Sequence, residues 1–374
     1  MTGKAVRETM TPKQRWLAAI GMEPVDRLPF WPKLNEAYPR MRAAPFCDMT
    51  VDAVHDWIGS DKHTWIAGCT RDVRKATSIR TAQANGTRRK VYQTPHGRME
   101  LVCRYDGPSD SWHPVTFPVQ DVEDVRLMTE VYADVTVELD AEGLARARAR
   151  SDEIGQDAVT ANGVGESPLM QLVEWLAGIE TAHYLLADHR RDVEGLFAAI
   201  DGVLKRRTEL LCKYSPADVL YMVENTSTTL ISPTQYRRYC MPQVGAYAEL
   251  AATAGRNMVL HMCGHLKALL GDLSQIRARA FEAFTSPTLG NTTLLDGRRG
   301  CPDKCLIGGT NATLWTRSAD EIIAQIEHDL DELPHHRGIV VTSAGVMPPM
   351  CEPETIRQVC RWVKDYPART NGRH

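Results

Sequence analysis

His261-Met262-Cys263 puts an imidazole and a thiol two residues apart. On an extended strand alternate side chains project to the same side, so the ring and the sulfur would face one spot. That nitrogen–sulfur pair suits Zn²⁺. A metal held there with one open position polarises a bound oxygen or turns a bound thiol into a thiolate. H-x-C also arises often by chance, and its bland reading is a lining histidine beside a buried cysteine. Position adds weight, because the pair ends the apolar run NMVLHMCG (257–264). Glu224 ends the preceding run, DVLYMVEN, and is read either as a catalytic or metal-binding carboxylate or as a structural acid. Cys351 follows the last apolar run in the loop MPPMCEP and is a further candidate ligand. Cys301 and Cys305, in CPDKC, come before a run instead of after one, as do His335 and His336, and read as structural.

These positions matter because of the elements that hold them. From about residue 155, short apolar runs alternate with helical stretches such as VEGLFAAIDGVLKRRTELLCKY and ADEIIAQIEHDLDEL. The runs are 157–163, 218–225, 257–264, 280–287, 304–311 and 338–345, with another at 62–68. Near-continuous apolar strands separated by helices predict a parallel sheet buried on both faces. Seven such strands approach the eight of an α/β (β/α)₈ TIM-type barrel, whose chemistry sits where strands end. An open doubly wound sheet is the alternative, weakened because no G-x-G-x-x-G turn follows any strand. Thr11-Pro12 opens an N-terminal helix. Residues 88–106 alternate around Pro95-His96-Gly97 and read as a β-hairpin insertion at about 85–106. The whole chain, 1–374, reads as one barrel domain with this N-terminal helical and hairpin elaboration.

Composition excludes other classes. Lys+Arg 44 against Asp+Glu 47 gives a net charge of −3, without the basic excess of a nucleic-acid binder. No run reaches the roughly 18 apolar residues of a membrane span, and Met1–Gln14 lacks a signal-type stretch. A cytoplasmic protein is expected, in which ten scattered cysteines serve mostly as small buried hydrophobes. P-loop, G-x-S-x-G and H-E-x-x-H motifs are all missing.

Several segments together resemble the uroporphyrinogen decarboxylase superfamily: HMCGHLKALLGDL, FEAFTSP, DKCLIGGTNATLWTRSADEIIAQI, RGIVVTSAGVMPPMCEPETIRQV, ISPTQYRRYCMPQV and RWLAAIGMEPVDRLPFWP. The resemblance covers most of the chain in the family's order. One branch of that superfamily decarboxylates a tetrapyrrole and carries an arginine-rich N-terminal loop; FWPKLNEAYPRM lacks it. The other comprises corrinoid-dependent methyltransferases that bind zinc through an H-x-C pair and a later cysteine, and the YQTPHGRM hairpin also looks like that branch. His261 and Cys263 match the pair. The family's third ligand follows the glycine of the last strand, but here Gly345 precedes Val346. The resemblance leaves Cys351 and Glu224 as alternatives for that place.

The resemblance implies a zinc-dependent methyltransferase with Glu224, His261 and Cys263 in catalysis. Asn162, Glu166, Glu282 and Asn311 are candidates for orienting a small-molecule methyl donor or acceptor. No D-x-H-x-x-G motif is present, so a cobamide (a corrinoid related to cobalamin) would arrive on a partner corrinoid protein docking over the barrel mouth. A homodimer stays open. Two competing readings are a decarboxylase of tetrapyrrole or related carboxylates, and a non-catalytic barrel with a closed structural metal site.

Overall fold

Eight short strands carry the fold of this computed structural model, which describes residues 8–107 and 110–370. They are β1 (Phe30–Trp31), β2 (Lys62–Trp65), β3 (Ala158–Gly165), β4 (Val219–Val223), β5 (Asn257–His261), β6 (Ala280–Phe284), β7 (Cys305–Gly308) and β8 (Ile339–Thr342). All seven pairings are parallel, in the order β2-β3-β4-β5-β6-β7-β8-β1. The amide of Asp61 donates to the Phe30 carbonyl at 2.8 Å, so the residue before β2 returns to β1. The expected TIM-type barrel is what the chain forms. The first seven residues, part of the stretch read for a signal, lie outside the described residues.

Period-two alternation decides what the barrel encloses. Val159 and Ala161 of β3, Val219 and Tyr221 of β4, Val259 of β5, Ala280 of β6, Cys305 and Ile307 of β7 and Val340 of β8 share one buried interior cluster. Their neighbours, such as Leu220, Leu260, Phe281 and Leu306, face the outer helices and join the larger core. Hence the runs read as continuously apolar: both faces of each strand are covered.

Helix Pro12–Ile20 adds Trp16, Ala19 and Ile20 to the interior cluster. Thr11 caps it, and Thr11 and Gln14 form a reciprocal capping box with Pro12 at the first position. The long helix Arg190–Tyr214 buries Val193, Leu196, Phe197, Ile200 and Leu204 along one stripe. The expected hairpin exists, closed by Thr94 N–H to the Gly97 carbonyl at 2.9 Å. It is the middle of a larger insertion, a four-stranded antiparallel sheet of Ser78–Ala84, Thr87–Gln93, Arg98–Asp106 and Ser111–Thr116. Among the described residues, no helix is long and apolar enough to cross a membrane.

The barrel strands stop earlier than the apolar runs suggest. β4 ends at Val223, β5 at His261, β6 at Phe284 and β7 at Gly308. Glu224, Cys263 and Asn311 therefore stand on loops just beyond strand ends. Gly308 marks one tight point, since a Cβ there would lie 2.3 Å from the Phe284 carbonyl oxygen. Gly308→Ala is expected to cost about 2 kcal/mol or more, through the strand displacement it forces. A urea midpoint unchanged from the parent protein would contradict that.

Buried histidines make the fold acid-sensitive. His55, in helix Val51–Ile58, is 4% exposed, with Nδ1 2.8 Å from Ser60 Oγ. Burial, helped by the charge of Lys62, pushes it down to about 3. Burial likewise pushes His63 down to about 4, with Lys33 adding to the effect and Glu282 opposing it. The unfolded chain takes up these protons below about pH 6.5 while the folded chain does not. The stability these two rings contribute is thus full above that pH and falls as the medium is acidified toward pH 4, by up to about 1.4 kcal/mol per pH unit for each ring. Urea unfolding of His55→Asn beside the wild type across this window should isolate the effect, the variant losing about one proton's worth of the acid-side destabilisation. A pH dependence from pH 7 to about 4 that is the same in His55→Asn as in the wild type would refute the assignment.

Candidate functional site

The strand register brings the chemistry together. β5 and β6 pair Val259 with Ala280 and His261 with Glu282. Val259 and Ala280 face the interior, so the residues two positions on, His261 and Glu282, face the same way. Tyr221 reaches them from β4, two residues after the inward-facing Val219.

Glu282 is wholly buried and fully engaged. Tyr221 Oη donates to its Oε2 at 2.5 Å. Lys33 Nζ lies 3.1 and 3.3 Å from its two oxygens. His261 Nδ1 contacts Oε2 directly. Burial would raise this carboxyl, but the charges of Lys33 and His261, with the hydrogen bonds, hold it at about 2. His261 shows the reciprocal effect. Burial would lower it, but the Glu282 charge and hydrogen bonds to Cys263 and Glu282 lift it to about 9. With Nδ1 committed to the carboxylate, Nε2 is the nitrogen left for a ligand or metal, an arrangement that fixes ring orientation in metal-binding histidines.

Cys263 is exposed at the rim, its thiol near the His261 ring. Its Sγ–H donates to Asn225 Oδ1 at 3.3 Å. Gly264 lets its loop press onto the one after β4. A Cβ there would sit 2.5 Å from Ser227 Cβ, and the φ of +144° suits glycine. Thr228 N–H to the His265 carbonyl (3.0 Å) and His265 N–H to Ser227 Oγ (3.0 Å) lock the two loops.

Glu224 is wholly buried and accepts from Ser167 N–H at 2.7 Å and Ser167 Oγ at 2.5 Å, with Thr226 Oγ1 at 3.3 Å. Burial pushes it up to about 7 against those bonds. Glu166 accepts from Trp175 Nε1 at 2.9 Å and is pushed up to about 8 by burial and by Glu174. Asn162 donates to the Ile66 and Ala67 carbonyls, tying β3 to the loop after β2. Asn311 donates to Ser286 Oγ and the Pro287 carbonyl and accepts from Leu314 N–H. Cys351 is 3% exposed, in the larger core, and burial pushes its thiol up to about 12. Tyr38 Oη donates to its backbone carbonyl at 2.6 Å. Cys301 and Cys305 are buried at the far end of β7, as their place before the strand indicated.

The structure thus brings His261 beside Cys263 and Glu282; Glu224 bonds the His261 carbonyl through its amide but turns its carboxylate to Ser167, and Cys351 lies in the larger core. Among the described residues, the only three metal-binding groups within 4.8 Å of one another are His328, Asp329 and Glu332, on the outer helix Ala319–Asp331 and just past it. The donor chemistry at His261 and Cys263 fits Zn²⁺: an imidazole oriented through Nδ1 and an exposed sulfur beside it. Among the described residues, a third protein ligand is not preassembled beside this pair.

A cavity of about 680 Å³ opens beside His261. Trp31, His63, Trp65 and Tyr221 form a continuous aromatic wall, with centroids 4.7 Å apart for Trp31–His63 and 5.0 Å for Trp65–Tyr221. Among the described residues, neither nitrogen of the buried His63 ring has a hydrogen-bond partner. Lys33, Tyr221, Asn225 and Glu174 escaped sequence reading. Lys33 follows a two-residue strand too short to show periodicity. Tyr221 was discoverable, since period-two alternation along β4 puts it on one face with Val219 and Val223.

The sequence model of the uroporphyrinogen decarboxylase (URO-D) family matches residues 101–366. The chain belongs to that family. Among solved structures, it resembles a methyltransferase from Methanosarcina mazei, with 16% identity, 94% of this chain and 98% of that chain covered, and a TM-score of 0.58. That likeness establishes the shared fold. A B12-independent methionine synthase from Shewanella sp. W3-18-1 is more distant, at 10% identity, 68% and 70% coverage and a TM-score of 0.42. Comparison with curated proteins gives no match.

Proposed function

We propose that the protein is a zinc-dependent methyltransferase that exchanges a methyl group between a small molecule and a corrinoid carried by a partner protein. The observation that carries this reading is the buried Glu282 carboxylate locked onto His261 Nδ1, with Cys263 alongside and a cavity in front. The family and the methyltransferase neighbour support it. Zinc held by His261 and Cys263, with Cys351 or Glu224 as a third ligand, would supply a Lewis acid that activates a thiol or polarises a methylated heteroatom. Glu282 fixes the imidazole, while Lys33 and Tyr221 hold the carboxylate in place. The aromatic wall keeps water from the reacting groups and positions the small molecule, which is most of what an in-line displacement needs.

Exposed apolar side chains ring the same face: Trp65 at the end of β2, Trp175 and Ile179 after β3, Leu289 after β6, and Val346 and Met350 after β8. Large apolar groups gathered on one face mark an interaction surface, which supports docking of the corrinoid partner there. The cavity lining suits a decarboxylase less well. Its lysine and arginine residues are Lys33 and Arg150, and they already pair with Glu282 and with Asp52 and Glu153. Little positive charge is left for a substrate bearing many carboxylates.

The test uses purified protein loaded with Zn²⁺, free cobalamin standing in for the corrinoid protein, and panels of thiols and of methylated ethers and amines. A chelator-sensitive change between the methylcobalamin and cob(I)alamin spectra is expected with at least one compound. No change with any of them, together with decarboxylation of uroporphyrinogen that survives chelation, would overturn the reading.

A further inference from the structure

The Asn225 side chain stands between Cys263 and a buried acid. Its Nδ2 donates to Glu174 Oε2 at 2.9 Å, and its Oδ1 accepts from Cys263 Sγ–H at 3.3 Å. Its backbone is pinned as well: Asn225 N–H donates to the His261 carbonyl at 3.0 Å, and its φ of +47° lies in the left-handed region that asparagine tolerates. Glu174 lies in a single π-helical turn, Leu172–Leu176, a distortion that recurs at functional sites. Its second oxygen, Oε1, is buried with no hydrogen-bond partner among the described residues. A surface asparagine bridging two loops needs none of this. Here one asparagine is held by two hydrogen bonds, one at its side chain and one at its backbone, with its amide oxygen on the sulfur of the proposed metal pair.

We propose that Asn225, backed by Glu174, is the positioning residue for Cys263: its amide keeps the sulfur beside His261 and turns over to donate a hydrogen bond when that sulfur becomes a metal-bound thiolate. This rests on the reading of His261 and Cys263 as a metal pair.

The turnover follows from the donor and acceptor inventory. A thiol donates to Oδ1, but a thiolate only accepts, so Oδ1 facing it would be repelled. Rotating the amide by half a turn puts Nδ2–H against the sulfur and Oδ1 against Glu174. Two acceptors cannot share that second contact, so Glu174 must then carry a proton. The balance closes within the chain: the S–H bond of Cys263 breaks, an O–H bond forms on Glu174, and no external base is needed. Burial pushes the Glu174 carboxyl up to about 7, against its bond from Asn225 and the charge of His261, which makes it a ready acceptor near neutral pH. A hydrogen bond to a metal-bound sulfur orients it, as second-sphere partners do for other ligands.

The experiment measures Co²⁺ and Zn²⁺ affinity by competition with a chromophoric chelator, and the sulfur-to-cobalt charge-transfer band, in the full-length protein. Asn225→Ala should weaken binding about 10- to 100-fold, the usual loss when an outer partner of a ligand is removed, and should shift the band. Glu174→Ala should weaken it as well. Glu174→Gln should restore wild-type affinity, because a glutamine amide donates to Oδ1 without needing a proton. Melting curves confirm that each variant is folded. If the wild type shows the sulfur–cobalt band while Asn225→Ala binds within twofold of it with the same spectrum, the positioning role is wrong and the metal pair stands. If the wild type binds Co²⁺ without that band, the metal pair itself is wrong and the inference goes with it.

Discussion

His261→Ala/Cys263→Ala is expected to leave the protein folded, without bound zinc, and slower in methyl transfer by on the order of 1,000-fold or more. The magnitude follows from the chemistry assigned to the pair. Lewis-acid activation supplies several kcal/mol in the transition state, and each 1.36 kcal/mol is a factor of ten in rate. The expectation of a folded variant follows from the geometry. Removing the imidazole leaves Glu282 bonded to Tyr221 Oη and paired with Lys33, so no buried charge is stranded. Cys263 is exposed and gives up one hydrogen bond from a weak thiol donor, to Asn225 Oδ1. Elemental analysis, a melting curve and the cobalamin assay check the three parts separately. Wild-type zinc content in the double variant would remove the metal site from this face. Full methyl transfer by a zinc-free variant would remove the metal from the reaction.

Much of this site was legible before any coordinates, and the limits have physical causes. His261 and Cys263 stand out because an apolar run with period-two alternation ends on them. The same alternation places Glu282 two residues after Ala280, yet nothing in the sequence says that β5 and β6 are neighbours in the register that pairs it with His261. Glu282 therefore reads as a substrate group in the chain and as the partner of an imidazole in space. Lys33 was invisible for another reason. β1 is only two residues long, Phe30 and Trp31, so it carries no period and its end could not be marked. That strand is also the eighth, which the sequence reading lacked. Asn225 and Glu174 are 51 residues apart and meet only because two loops fold over the rim. Helix caps fared better, because Thr11-Pro12 with Gln14 is a local signal satisfied within one turn.

The closed end of the barrel depends on a single carboxylate, and its loss is expected to be the most damaging change to stability. Asp61 is wholly buried and precedes β2. Its oxygens accept from Arg15 Nη1 at 2.6 Å, from Arg27 Nη1 and Nη2 at 2.7 and 3.1 Å, and from Phe30 N–H at 3.0 Å. Its carbonyl accepts from Trp16 Nε1 at 3.1 Å. Arg15 and Arg27 are themselves 0% and 2% exposed, so neither can turn to water when its partner goes. Arg15 keeps Asp26, at 2.7 Å, but Arg27 would keep only the half-exposed Glu8 and a backbone carbonyl. Asp61→Ala is expected to cost about 3–5 kcal/mol, the penalty of leaving a buried charge uncompensated. That is a large share of a total stability of roughly 5–15 kcal/mol. Asp61→Asn should cost less, because it keeps one acceptor oxygen while losing the charge. The triple change Arg15→Met/Arg27→Met/Asp61→Leu should be more stable than Asp61→Ala, since it removes the stranded charges as well as their partner. Urea unfolding of the three variants orders them. If Asp61→Ala unfolds within about 1 kcal/mol of the wild type, a cost ordinary for surface changes, the network does not hold this end of the barrel. If the triple variant is the weakest of the three, the ion pairs contribute net stability beyond avoiding an uncompensated charge.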